Sequence, residues 1–179
     1  MKRLLLTISA VLLCAGSAQH LRAQAAPTAT RNGRLQLGAG ISISRPDYTP
    51  HTNKGITGYA DFDLTYHLGV EAVIHETSIV TPGDIGEDSY LVGPRYVFHL
   101  HRFQPYVKVL FGFGRFNTQF DNRPHTSDTY GVYAIGGGLD YRVSPHINIR
   151  GDYEGQRWPN FPPDGLTPSV TTIGVGYAF

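Results

Sequence analysis

The sequence predicts an all-β protein: an eight-stranded antiparallel up-and-down transmembrane β-barrel. Three observations lead there: an N-terminal export segment, eight stretches of two-residue alternation, and connections that are by turns short and long. The composition agrees. Among 179 residues there are 21 Gly, 11 Tyr and 9 Phe, and only 16% are charged, whereas soluble domains average about 25% charged residues and about 7% Gly. That length suits one domain. A formal net charge of +1 offers no basic footprint, so no nucleic-acid partner is expected.

Residues 1–25 read as a secretory signal. Lys2 and Arg3 precede the apolar stretch Leu4 to Ala15, and Ala23 and Ala25 place small residues at both recognition positions of a cleavage site. Gly16-Ser17-Ala18 is a second candidate, closer to the apolar stretch. The single cysteine, Cys14, follows Leu13 where a lipoprotein site needs a small residue, so no lipid anchor is expected. Past residue 25 no cysteine remains for a disulfide or thiolate chemistry, and 12 basic face 14 acidic side chains. Residues 26–33 form a short periplasmic segment and residues 34–179 the barrel. A helical span needs about 20 mostly apolar residues in a row. The densest stretch, Val107 to Phe113, is interrupted by Lys108, which leaves strands as the way across a membrane.

Alternate side chains of a strand point to opposite faces. In Arg34 to Ser44, Leu35, Leu37, Ala39, Ile41 and Ile43 oppose Arg34, Gln36, Gly38, Gly40, Ser42 and Ser44. Ile56 to Thr65 sets Ile56, Ala60, Phe62 and Leu64 against Thr57, Tyr59, Asp61 and Asp63. Leu68 to Thr77 sets Leu68, Val70, Ala72 and Ile74 against Glu71, Val73 and His75. Ser89 to Phe98 carries Tyr90, Val92, Pro94, Tyr96 and Phe98 opposite Gly93 and Arg95. In Gln104 to Arg115, Pro105, Val107, Val109, Phe111 and Phe113 lie opposite Lys108, Gly112 and Gly114. Thr129 to Val143 places Ile135, Leu139, Tyr141 and Val143 opposite Gly136, Gly138, Asp140 and Arg142. Ile147 to Gln156 opposes Ile147, Ile149 and Tyr153 to Arg150, Asp152 and Glu154. Ser169 to Phe179 ends the chain with Thr171, Ile173, Val175, Tyr177 and Phe179 opposite Thr172, Gly174 and Gly176. Each segment is near or above the roughly 9–11 residues of a tilted membrane strand.

The connections Tyr66-His67, His99 to Phe103 and Ser144 to His146 are short. Those at Arg45 to Gly55, Ser78 to Asp88, Phe116 to Asp128 and Arg157 to Pro168 are long and rich in turn-forming and polar residues. Outer-membrane barrels have short periplasmic turns and longer external loops, which puts both chain ends in the periplasm. The second face decides what is enclosed. It gathers Asp61, Asp63, Glu71, Arg95, Lys108, Asp140, Arg142, Arg150, Asp152 and Glu154 between glycines. Glycine is poor in mid-strand, but inside a narrow barrel it makes room for long neighbours. A charge network in the lumen is therefore expected, plugging the barrel or lining a narrow pore. Aromatics toward the strand ends, Tyr66, Phe98, Phe103, Tyr141 and Phe179 at one end and Tyr90, Phe113, Tyr133 and Tyr153 at the other, suit the two membrane interfaces, and Trp158 opens the last long connection. A lipid-exposed sheet edge would leave backbone groups unpaired, so the first and last strands must pair.

Gly93-Pro94-Arg95-Tyr96, the run Gly136 to Arg142, and the closing Val175-Gly176-Tyr177-Ala178-Phe179 resemble the small outer-membrane β-barrel domain family, the OmpA-like and OmpX-like eight-stranded barrels. The resemblance implies an integral outer-membrane protein, with Val175, Tyr177 and Phe179 as the signal for the barrel assembly machinery. Outer-membrane lipid and lipopolysaccharide are its implied surroundings. The chain departs from full-length OmpA-type proteins in ending at Phe179 without a peptidoglycan-binding domain, so no cell-wall tether is expected.

His67, His99, His101 and His146 fall in or beside the short turns. A rim cluster could ligate zinc or nickel, but no ligand spacing of a known site is present, and no cofactor or metal is expected. Some eight-stranded barrels modify lipid A, which needs a Ser, a His and a carboxylate near the outer rim. His125-Thr126-Ser127-Asp128 supplies those types on a long loop, where geometry would be accidental, so a non-enzymatic role is expected. The remaining expectation is a monomer whose four outward loops meet an extracellular partner; a soluble periplasmic ligand-binding barrel is the rival.

Overall fold

Residues 33–47, 51–77, 85–118 and 126–179 are described in a computed structural model of the chain. They form eight strands: β1 (Arg34–Arg45), β2 (Asn53–Asp63), β3 (Leu68–Glu76), β4 (Ile85–Val97), β5 (Phe103–Thr118), β6 (Thr126–Arg142), β7 (Ile147–Arg157) and β8 (Ser169–Ala178). Ala23 and Ala25, with the whole export segment, lie outside the described residues. Every strand pairs antiparallel with its neighbour in sequence, and β1 pairs with β8 to close the barrel, Ala39 opposite Val175 and Ile41 opposite Ile173. The amide of Phe179 completes the seam by donating to Leu35 O at 2.9 Å.

The alternation seen in the sequence becomes an inside and an outside. Ile41 is 69% exposed, Ile135 65% and Ile173 62%, while Asp61 and Glu71 are 2% and 1% exposed. A water-soluble fold does the reverse. An apolar outer wall around a charged interior is the arrangement that a hydrocarbon surround stabilises.

The middle strands run further than periodicity suggested. Ile85 to Asp88 pair with Arg115 to Thr118, and Phe116 to Thr118 pair in turn with Thr126 to Asp128. Gly, Glu, Asp and Asn are weak strand formers, so the sequence read this stretch as loop. Partners across the hairpins hold it extended, and Thr77 pins the end: its Oγ1 donates to Glu87 O at 2.8 Å and its amide to Asp88 Oδ1 at 3.0 Å. Ser127 and Asp128, expected on a loop, thus belong to a paired strand, and His125 lies outside the described residues. Inside β4, pairing with β5 passes from Val92–Phe111 to Arg95–Lys108 with a gap at Gly93-Pro94, where Pro94 has no N–H to donate.

The short turns are fixed locally. Leu68 N donates to Thr65 Oγ1 at 3.0 Å, and Ile147 N to Ser144 Oγ at 3.0 Å. His101 takes a left-handed φ of 61° in the tight turn closed by Leu100 and Phe103.

Candidate functional site

The register by itself creates a conflict. Asp61 of β2 lies opposite Glu71 of β3, and Arg95 of β4 opposite Lys108 of β5, and like charges directly opposed on one face are destabilising. Closure resolves it, because β6 and β7 bring complementary groups across the lumen. Arg150 makes a bidentate pair with Asp140, Nε–Oδ1 2.7 Å and Nη2–Oδ2 2.8 Å, and reaches Asp61 at 2.5 Å and Glu71 at 3.3 Å. Arg95 lies 2.9 Å from Asp61 and donates to Asp140 at 2.5 Å. Lys108 Nζ is held by Glu71 at 2.7 Å, Asp152 at 2.9 Å and Glu154 at 3.1 Å.

Five carboxylates thus surround three cations, and neutral groups supply the missing donors. Tyr106 OH donates to Asp152 at 2.5 Å and Gln36 Nε2 to Asp61 at 3.3 Å, while Asn148 Nδ2 donates to Gln36 Oε1 at 2.5 Å. His75 stands with Nε2 3.5 Å from Glu154 and Nδ1 2.8 Å from Thr57 Oγ1. Two phenol rings sandwich the guanidiniums: Arg150 lies 3.9 Å over Tyr59, and Arg95 4.1 Å over Tyr106.

Asp63 and Arg142, expected in the same set, are half-buried at the short-turn end and take no part in these ion pairs. Asp63 instead lines, with Arg34, Gln36, Arg95 and His99, a space of about 20 Å³, room for one water. Partial burial holds the His99 imidazole below its ordinary pKa, against the pull of Asp63. His67 and His99 approach to 5.7 Å between ring centroids. Among the described residues no group of three or more His, Cys, Asp or Glu side chains is placed to hold a metal ion.

Above the ion pairs β3 to β6 contribute an apolar layer, while Ser44, Glu87, Ser89 and Gln156 keep polar groups buried nearer the long connections. Val73, Leu91, Leu110, Val132 and Ala134 form a buried layer, and Trp158 and Leu166 close it from above, 0% and 2% exposed. Trp158 therefore does not sit at a membrane interface as the belt pattern suggested. Its backbone pairs with Leu166, N–O 2.8 Å, its indole N–H donates to Gln156 Oε1 at 3.0 Å, and Phe161 meets Phe116 edge-on and Tyr130 at a tilt beside it. At Gly40, Gly93, Gly112, Gly136 and Gly174 a methyl would strike the carbonyl of a neighbouring strand, whereas Gly38 and Gly114 make room for rings. A methyl on Gly38 would lie 2.1 Å from the Tyr59 ring, and one on Gly114 would lie 2.2 Å from Trp158.

Sequence reasoning did not place Tyr106, Leu110 or Trp158 inside. The first two carried a signal, since they sit two residues either side of Lys108 on its own face. Trp158 carried one as well, continuing by twos the inward row of Asp152, Glu154 and Gln156, but on a stretch the sequence assigned to a connection. Val175, Tyr177 and Phe179 all face outward, with Tyr177 stacked on His146 and edge-on to Phe179.

Solved structures share this architecture. The chain is similar to Ail, the attachment invasion locus protein of Yersinia pestis, at 18% identity and a TM-score of 0.61, over 83% of this chain and 99% of that one. Neisserial surface protein A matches at 14% identity and a TM-score of 0.62, over 82% and 97%. OprG of Pseudomonas aeruginosa matches at 16% and 0.62, over 83% and 96%. No curated protein sequence matches the chain. The family described as outer membrane protein beta-barrel domain matches residues 8–179, and with a closed eight-stranded barrel, an apolar outer wall and an ionic interior already in place, the chain belongs to that family.

Proposed function

We propose that this outer-membrane barrel is non-enzymatic and monomeric, that its lumen is sealed, and that its specific activity resides in the four long connections, where an extracellular partner binds. The observation that carries the reading is the filling of the interior. An ion network spans its lower part, and the Trp158 cap covers its upper part. Eight strands enclose an interior just wide enough for side chains to fill, and Arg95, Lys108 and Arg150 are each held by buried carboxylates. Among the described residues the apolar belt includes side chains of all eight strands, so a single closed barrel presents a continuous wall to lipid. Residues 1–25 direct export and are removed, and Val175, Tyr177 and Phe179 serve as the assembly signal.

Planar-bilayer recording on refolded protein tests the seal. A silent membrane is expected; regular stepwise openings would overturn the plug in favour of a pore. For the non-enzymatic part, mass spectra of lipid A should be identical with and without overexpression, and a new acylation state would make the protein an enzyme.

A further inference from the structure

On the lipid-facing wall, the seam of β7, β8 and β1 carries a groove of about 480 Å³, walled by Leu37, Ile147, Val175 and Tyr177 and floored where Gly38 pairs with Gly176. The short side chain of Ala39 opens it. Ala39 stands opposite Val175 in an outward row whose other members, Leu37 and Ile41, are long. Tyr177 forms the end of the groove nearest the short turns, and there the surface becomes polar. His146 stacks on Tyr177, with ring centroids 5.6 Å apart and planes 15° from parallel, and its Nδ1 lies 2.9 Å from Ala178 O. A carbonyl only accepts, so Nδ1 carries the proton and Nε2 of the neutral ring presents a lone pair. The His146 side chain is exposed, and its bond to Ala178 leaves Nε2 facing the membrane surface. Arg34 donates to Pro145 O at 2.8 Å, which brings a positive charge to the same turn without engaging that nitrogen.

A hydrocarbon-lined groove that ends at an exposed hydrogen-bond acceptor, with a cation alongside, is complementary to an amphiphile whose head both donates a proton and carries a phosphate. The volume falls within the roughly 300–1,000 Å³ of small-molecule sites. A primary ammonium offers three N–H donors and bonds to a lone pair with charge assistance; a quaternary ammonium offers none. We infer that the β7–β8–β1 seam is a binding site for an ammonium-headed phospholipid, phosphatidylethanolamine, with its ammonium on His146 Nε2, its phosphate toward Arg34 and an acyl chain in the groove beside Ala39. His67 repeats the ring stack and the carbonyl bond, on Tyr96 and Val97 O. Tyr96 does not line this groove, which makes His67 an internal control. The site requires only that the barrel lies in a membrane, whether or not the lumen is sealed and the long connections bind a partner.

The test uses the full chain refolded in nanodiscs, with lipid retention read by native mass spectrometry. The probes are phosphatidylethanolamine, phosphatidylcholine and phosphatidylglycerol with matched acyl chains. Wild type should hold phosphatidylethanolamine about tenfold more tightly than either rival, the worth of one hydrogen bond to a charged group. Phosphatidylcholine keeps the charge and the phosphate but has no N–H, so its equal retention would overturn the headgroup contact, as would equal retention of phosphatidylglycerol. His146→Phe keeps an aromatic ring on Tyr177 and should abolish the preference, while His67→Phe should preserve it; a preference that survives the first or is lost in the second overturns the site. Ala39→Leu fills the groove and should weaken retention of all three probes, and unchanged retention would remove the acyl-chain contact. Heat-modifiable migration monitors folding; if His146→Phe fails to fold, the wild-type lipid comparison and Ala39→Leu decide. A conductance in the bilayer assay would sink the sealed lumen and leave this result standing, so the two failures are distinguishable.

Discussion

Arg150 touches three carboxylates on three different strands, Asp61, Glu71 and Asp140, and is 2% exposed. Removing it leaves those carboxylates buried with too few donors, and breaking a buried ionic cluster from one side costs about 3–5 kcal/mol. Arg150→Leu and Lys108→Ala are each expected to lower the urea midpoint of refolded protein accordingly; normal urea resistance in both would show that the pairs contribute nothing to stability. Smaller devices hold the rim. His67 Nδ1 donates to Val97 O and His146 Nδ1 to Ala178 O, each at 2.9 Å, and the rings stack on Tyr96 and Tyr177. Each imidazole thus ties a short turn to the end of the neighbouring strand. His67→Ala should cost about 1 kcal/mol, the net worth of one such hydrogen bond, read from the same unfolding curves.

At the scale of elements, the connection from Arg157 to Pro168 is a lid built as a hairpin. Its bridge between Trp158 and Leu166 turns two apolar side chains inward, and its far end is tied to the β1 exit through Thr167 and Asp47. Trp158 is fully buried in the apolar cluster, so Trp158→Ala should cost about 3–5 kcal/mol, the range for emptying an aromatic site. Asp47→Ala removes the tie without touching the core; hydrogen exchange at the Thr167 amide should then accelerate while the β7 and β8 amides stay protected. The same lesson applies to β4, β5 and β6. Their polar outer halves are strands because each supplies the others' backbone partners, an effect that no single-strand propensity contains.

For the whole molecule, closure and orientation are one fact. Pairing β1 with β8 removes the sheet edge, which lipid could not solvate, and it also brings β7 close enough to β2 and β3 for Arg150 to reach Asp61 and Glu71. Lipid-phase photolabels should mark Val107 and Ile173 and spare Asp61 and Arg150. The opposite labelling would turn the barrel inside out and remove the membrane assignment.

Period-two patterning was enough to locate all eight strands, because a strand's side chains alternate whatever surrounds it; the charges and glycines of the second face gave the facing, and the alternating connection lengths gave the order. Most of the charged lumen set was legible for the same reason. Which charges meet was not: Asp63 and Arg142 share the inward parity yet lie at the short-turn end, outside the ion pairs, and depth in the barrel depends on strand stagger, which only the paired register fixes. Nor could alternation reveal that an apolar layer from β3 to β6 lies above the ion pairs, or that the backbone at Trp158 pairs with Leu166 and so carries the inward row of β7 into the connection. Those features arise where side chains distant in sequence compete for one narrow volume, and only the closed barrel defines that volume.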